Sequence, residues 1–152
     1  HLLPKKFRFL RADLSRWAAR YGAPLVFPEK LASFDREASA RLNRGFIFAS
    51  HHGAGDRYLK AAFGEIWGRG REPSGAMLRA VSAAAGIAAA ELIAGADSAN
   101  IIEEYERENR LAQERGVFGA PTFIAGDQIF WGNDRIDFLE EYLRDSSNAI
   151  HL

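Results

Sequence analysis

The sequence predicts an α/β chain, mostly helical over residues 1–115 and closed by a β-hairpin and a helix. Three observations carry this. Apolar residues recur at steps of three and four through most of the first 115 residues. Strand character appears only after these helices, in the short runs Thr122, Phe123, Ile124 and Gln128, Ile129, Phe130, Trp131. Gly126-Asp127 lies between those runs as a hairpin turn, and a polar cluster then opens a last amphipathic helix.

The elements follow in order. Phe7, Leu10, Leu14, Trp17 and Tyr21 make one helix face, with Lys6, Arg8, Asp13, Arg16 and Arg20 on the other. Gly22 stops this helix and Pro24 prevents its resumption. Residues 23–34 are an extended connection. Asp35 is an N-cap for a helix over 35–50, with Ala38, Leu42, Phe46 and Ala49 inward. The segment HHGAGD breaks the chain before a helix over 56–68, with Leu59, Ala62, Phe63 and Ile66 inward. Ser74 caps a helix over 75–85 that faces inward with Leu78, Val81 and Ala85 and ends at Gly86. A short helix covers 88–94. Asp97 or Ser98 caps a long one to about Arg115, braced by Glu103–Arg107 and Glu106–Arg110 pairs. After the hairpin the last helix runs from 134 to 144, with Ile136, Leu139 and Leu143 inward.

Twenty basic and twenty acidic side chains cancel, which argues against a nucleic-acid footprint. No apolar run reaches the roughly 20 residues of a membrane span. The expected location is the cytoplasm. The absence of cysteine excludes a disulfide, a thiolate metal site and a Cys-x-x-Cys centre within these residues. Four histidines, poorly spaced, give no metal site; His51-His52 before Gly53 reads as a solvated helix end.

The layout is lopsided, because two edge-type strands make no stable sheet by themselves. The expected division is a helical part over 1–115, a hairpin-and-helix part over 116–145, and a tail over 146–152. Either the helical residues cover the hairpin completely or a strand–helix–strand unit belongs before His1, and the second is the expectation. The hairpin and the last helix read as the C-terminal half of a thioredoxin-like fold.

The chemistry concentrates near the hairpin. Ala120-Pro121 sits between Gly116, Gly119 and the first strand. A trans turn proline and a cis proline are both open readings. A cis bond turns the Ala120 N–H and C=O outward, where a peptide ligand can pair with them as an added strand. Asn133, Asp134 and Arg135 stand where the second strand becomes the last helix. A helix N-terminus receives carboxylates, and Asp134 can receive an ammonium group. Both charges on adjacent atoms are the head group of an amino acid. A plain capping cluster with Asn133 as N-cap is the competing reading. Lys5 and Lys6 open the first helix as a solvated face, or Lys6 meets a second carboxylate of an extended ligand. Trp131 is either a core aromatic or a pocket wall.

The stretch GVFGAPTFIAGDQIFWGNDRIDFLEEYL resembles the C-terminal signature of the 2-hydroxychromene-2-carboxylate isomerase family. That family is related to kappa-class glutathione transferases and, more distantly, to DsbA. The opening LLPKKFRFLRADLSRWAARYGAPLVFP resembles the segment that begins the family's helical insertion. The resemblance spans Leu2 to about Leu143 and implies an α/β, thioredoxin-like fold with a large all-helical insertion. It implies glutathione as cofactor, the cysteinyl part on the backbone of Ala120 before a cis Pro121, the γ-glutamyl end at Asn133, Asp134 and Arg135, and the glycyl carboxylate near Lys6. It implies a glutathione-dependent isomerase acting on an unsaturated aromatic-derived carboxylate, and a homodimer. The family's catalytic serine belongs before His1, so no catalytic residue is expected here; Ser15, Ser33 and Ser39 lie in the wrong segments. The rival readings are a DsbA-like thiol–disulfide oxidoreductase and a non-catalytic helical binding module.

Overall fold

The structure, a computed structural model, describes residues 4–29 and 35–145. The expected tail over 146–152 lies outside the described residues. Two compact units divide the chain, His1–Tyr105 and Glu106–Leu152.

The first unit is helical. α1 spans Pro4–Tyr21, α2 Arg36–His51, α3 Gly55–Phe63, α4 Gly75–Ala85 and α5 Ala89–Ala96; α6, Ala99–Glu114, begins here. One core joins α2 through α5: Leu42, Ala49, Tyr58, Ala62, Met77, Leu78, Val81, Ala85, Leu92 and Ala96. Each large side chain sealed there contributes roughly 1.5–3 kcal/mol. Local signals set the helix ends as expected. Asp35 accepts from the N–H groups of Glu37 and Ala38, at 2.9 and 3.2 Å. Gly86 ends α4 in the left-handed region, at φ 73°. Ser74 is the N-cap of α4 by position, but its side chain makes no capping bond.

Several faces differ from the sequence expectation. On α2 the inward stripe runs through Leu42, Gly45 and Ala49, while Phe46 is exposed. Gly45 is buried because the Tyr58 ring closes over it. The Tyr58 hydroxyl donates to the Leu42 carbonyl at 2.8 Å, which turns α3 so that Tyr58 and Ala62 face inward and Leu59 and Phe63 outward. The predicted helix over 56–68 is α-helical only to Phe63 and continues as a π-helical turn, Gly64–Gly68. None of the residues of α1 is buried, and Leu10, Leu14 and Tyr21 of its apolar face are exposed. Asp97 does not cap α6. It is the C-terminal cap of α5 and takes a bidentate bond from Arg41. Beside it the buried Arg44 donates to the Ala96 carbonyl at 3.0 Å and to Glu37 at 2.7 Å. On α6, Arg107 pairs with Glu108 rather than Glu103.

The second unit holds β1, Thr122–Ala125, antiparallel to β2, Gln128–Trp131, with Phe123 opposite Phe130 and Ile124 opposite Ile129. Gly126 makes the turn at φ 62°. A 3-10 turn, Asn133–Arg135, precedes α7, Ile136–Arg144, so the α-helix begins two residues later than expected. Phe130 packs on Tyr142, ring centroids 5.8 Å apart. Leu139 is half-buried, while Leu143 and Ile136 are exposed, a correction to the expected inward set. No described residue of this unit is fully buried.

Candidate functional site

Five of the six expected cofactor contacts, and Trp131, belong to the second unit. The approach to β1 is built by Gly119, whose carbonyl accepts from the Thr122 hydroxyl. The Ala120–Pro121 peptide is cis. Ala120 and Pro121 are exposed, and the Ala120 backbone has no hydrogen-bond partner among the described residues. The Pro121 carbonyl accepts from the Gly132 N–H at 2.9 Å. That bond ties the proline loop to the turn that carries Asn133, Asp134 and Arg135.

Gly132 adopts φ 105°, a conformation that side chains rarely take. A Cβ there would come within 2.5 Å of the Asp134 carboxylate. Asp134 and Arg135 pair at 2.8 Å and are both about half exposed, at 54% and 49% of their side-chain area. An acid and a base thus stand together in water's reach, so a zwitterionic ligand exchanges one ion pair for two without burying a lone charge. Asn133 does not cap the helix: Gly132 holds the N-cap position of the 3-10 turn, and neither that turn nor α7 has a side-chain cap. The helix opening therefore retains its affinity for a carboxylate.

Trp131 lies against the loop rather than in a core. Its indole edge is so close to Gly119 that a Cβ there would come within 2.6 Å of Nε1, and its ring packs on Phe118 at 5.1 Å. On the other side, Trp131 and Arg135 help line a groove of about 500 Å³ with Phe130, Phe138, Glu141 and Tyr142. Ala120, Pro121, Asn133 and Asp134 do not line it. The Arg135 guanidinium lies 5.9 Å from the Phe138 ring centroid. Phe138 and Tyr142 were missed in the sequence; their four-residue spacing on the last helix was the available signal. Lys6 belongs to the first unit, exposed on the first turn of α1. The serine expected before His1 lies outside the sequence.

This fold has known counterparts. The DSBA-like thioredoxin domain family matches residues 1–144. A 2-hydroxychromene-2-carboxylate isomerase of Sphingobium xenophagum is 40% identical over 141 residues, 92% of this chain and 69% of the relative. One from Pseudomonas putida is 37% identical over 139 residues, covering 91% and 66%. The solved structure of a selenomethionine 2-hydroxychromene-2-carboxylate isomerase superposes with a TM-score of 0.79 at 34% identity, over 93% of this chain and 68% of that one. The protein therefore falls in the class of DSBA-like thioredoxin domains with a helical part. Within that class the chain belongs to the 2-hydroxychromene-2-carboxylate isomerase family, whose members here are named as isomerases. It spans about two thirds of the length of these relatives.

Proposed function

We propose that the protein serves a glutathione-dependent isomerase, acting on an unsaturated aromatic-derived carboxylate as its relatives' names indicate. One observation carries the cofactor assignment: an exposed Ala120 backbone, without a hydrogen-bond partner among the described residues, tied through Pro121 and Gly132 to an exposed Asp134–Arg135 pair. This matches a peptide with an amino-acid head group. Glutathione, held there, would supply a thiolate nucleophile for reversible addition to the conjugated double bond. Ala120 would orient the cysteinyl residue by strand-like pairing. Asp134 would hold the ammonium; Arg135, Asn133 and the opening of α7 would hold the adjacent carboxylate. Lys6 would meet the glycyl carboxylate, and Trp131 would wall the site. This reading goes with a homodimer and with the cytoplasm, where the glutathione pool is reduced.

Isothermal calorimetry of glutathione against the full-length protein tests it. Binding is expected, and Asp134→Asn should weaken it about tenfold or more, the loss of one charge-assisted hydrogen bond. No heat of binding for the parent protein, or equal affinity in the variant, would remove glutathione from the site.

A further inference from the structure

The first helix carries a charge that the rest of the chain balances. Lys5, Lys6, Arg8, Arg11, Arg16 and Arg20 stand against one acid, Asp13. Six cations and one acid leave α1 at a net charge of +5, in a chain whose twenty basic and twenty acidic side chains cancel. Asp13 is paired with Arg16 at 3.7 Å. No carboxylate among the described residues lies within 4.0 Å of the other five cations.

The same helix has an apolar stripe, because Phe7, Leu10, Leu14, Trp17 and Tyr21 recur at steps of three and four. None of them is buried; Leu10, Leu14 and Tyr21 are 40%, 37% and 64% exposed. At about 100° per residue, Lys6 falls on one edge of this stripe and Arg11 on the other. Trp17 stacks on Tyr21, ring centroids 5.6 Å apart, and the Arg20 guanidinium lies 5.4 Å from the Trp17 ring centroid. The rings open onto a groove of about 640 Å³ that Phe63 and Trp67 also line.

Charge and apolar surface on one unsealed helix decide what can cover it. A purely apolar partner would desolvate the flanking cations without pairing them. A purely acidic one would leave the aromatic stripe in water. An anionic bilayer surface satisfies both. Trp and Tyr settle at the boundary between head groups and acyl chains, while lysine and arginine stems reach outward to the phosphates. No helix among the described residues is long and apolar enough to cross a membrane, so such a helix lies in that boundary.

We propose that α1 is an in-plane anchor for anionic membrane surfaces, its Leu10, Leu14, Trp17 and Tyr21 face at the acyl boundary and its cations on the lipid phosphates. Docking needs neither glutathione nor an isomerase substrate, so it stands apart from the proposed reaction.

The test uses the full-length protein with vesicles of phosphatidylcholine, alone or mixed equally with phosphatidylglycerol. Lys6, which would meet the glycyl carboxylate, is kept intact in every variant. Co-sedimentation should show binding to the mixed vesicles and little to the neutral ones, lost as salt rises to about 0.5 M. Arg16→Glu with Arg20→Glu should weaken binding about thirtyfold or more, the worth of two surface cations. Arg107→Glu with Arg110→Glu, the same change of charge on α6, should leave it within about twofold, because screening confines the effect to charges near the lipid. Leu14→Ser with Tyr21→Ser should weaken it about tenfold at unchanged charge. In the unaltered chain, brominated acyl chains should quench tryptophan fluorescence, and Trp17→Phe should remove most of that quenching. Absence of sedimentation with the mixed vesicles overturns the proposal. So does an equal loss in the α6 variant, which would mean that the lipid senses net charge and not α1. A homodimer dispersed by Leu14→Ser with Tyr21→Ser and indifferent to vesicles overturns it in favour of a second copy on this face. Tighter binding to duplex RNA than to the vesicles overturns it in favour of nucleic acid.

Discussion

Gly132 shows how much one backbone angle controls. Its φ of 105° lets the chain turn from β2 into the helix opening, and its missing Cβ leaves room for Asp134. Gly132→Ala should cost about 1–3 kcal/mol by urea unfolding, because alanine is strained there and collides with the carboxylate. The same variant should lose glutathione heat by calorimetry, since Asp134 must move. Asp97 controls a different property. The hydrogen bond from Arg41 holds its carboxyl below the ordinary carboxylate value and, reciprocally, raises the Arg41 guanidinium. A depressed folded-state pKa stabilises the fold above the unfolded carboxylate value of about 3.9 and stops doing so as pH falls through the folded value. Acid unfolding followed by circular dichroism should therefore steepen below about pH 4, where the unfolded chain takes up the proton first. Asp97→Asn should remove that part of the slope while leaving the rest of the acid limb.

At the scale of elements, the helix faces decide the packing. α2 docks on α5 through a residue with no side chain: Gly95 is buried under the Phe48 ring, and a Cβ there would overlap it. Gly95→Ala should destabilise the helical unit by about 1–3 kcal/mol, an overpacking cost, despite alanine's better helix propensity. Thermal melts of the variant check it; a melting temperature at or above the parent's would mean that Phe48 moves aside freely. Arg44 braces the same junction, its guanidinium bonded to the Ala96 carbonyl at the end of α5. Its burial was not legible in the sequence, where an arginine at that step reads as solvated. Tyr58 was missed for the related reason that its hydroxyl finds the Leu42 carbonyl, a partner that only the fold supplies.

At the scale of the molecule, the core is unevenly shared. Every fully buried described residue belongs to His1–Tyr105 and none to Glu106–Leu152. Local opening free energy follows buried contact, so protection should follow this division. Amide hydrogen exchange of this chain should be slowest in α4 and α5 and fastest in β1, β2 and α7. Equal protection in the hairpin would mean that something else covers its apolar side chains, Ile124, Ile129 and Trp131 among them.

Local chemistry made much of this readable in one dimension. Asp35 and Gly86 mark helix ends because capping is satisfied by neighbours in sequence. Thr122–Trp131 reads as a hairpin because alternation and a two-residue turn suffice to specify it. At the proline loop and the Asn133–Arg135 cluster the residues alone left two readings open, a cis or a trans proline and a ligand site or a plain cap, and only the family resemblance chose between them. The rest required the third dimension. Which side of α2 and α3 turns inward, why Asp97 serves Arg41 instead of α6, and how Trp131 comes to lie on Gly119 all depend on residues distant in sequence. Those contacts have no local signature, because packing selects among helix faces of nearly equal hydrophobicity only when the partner surfaces meet.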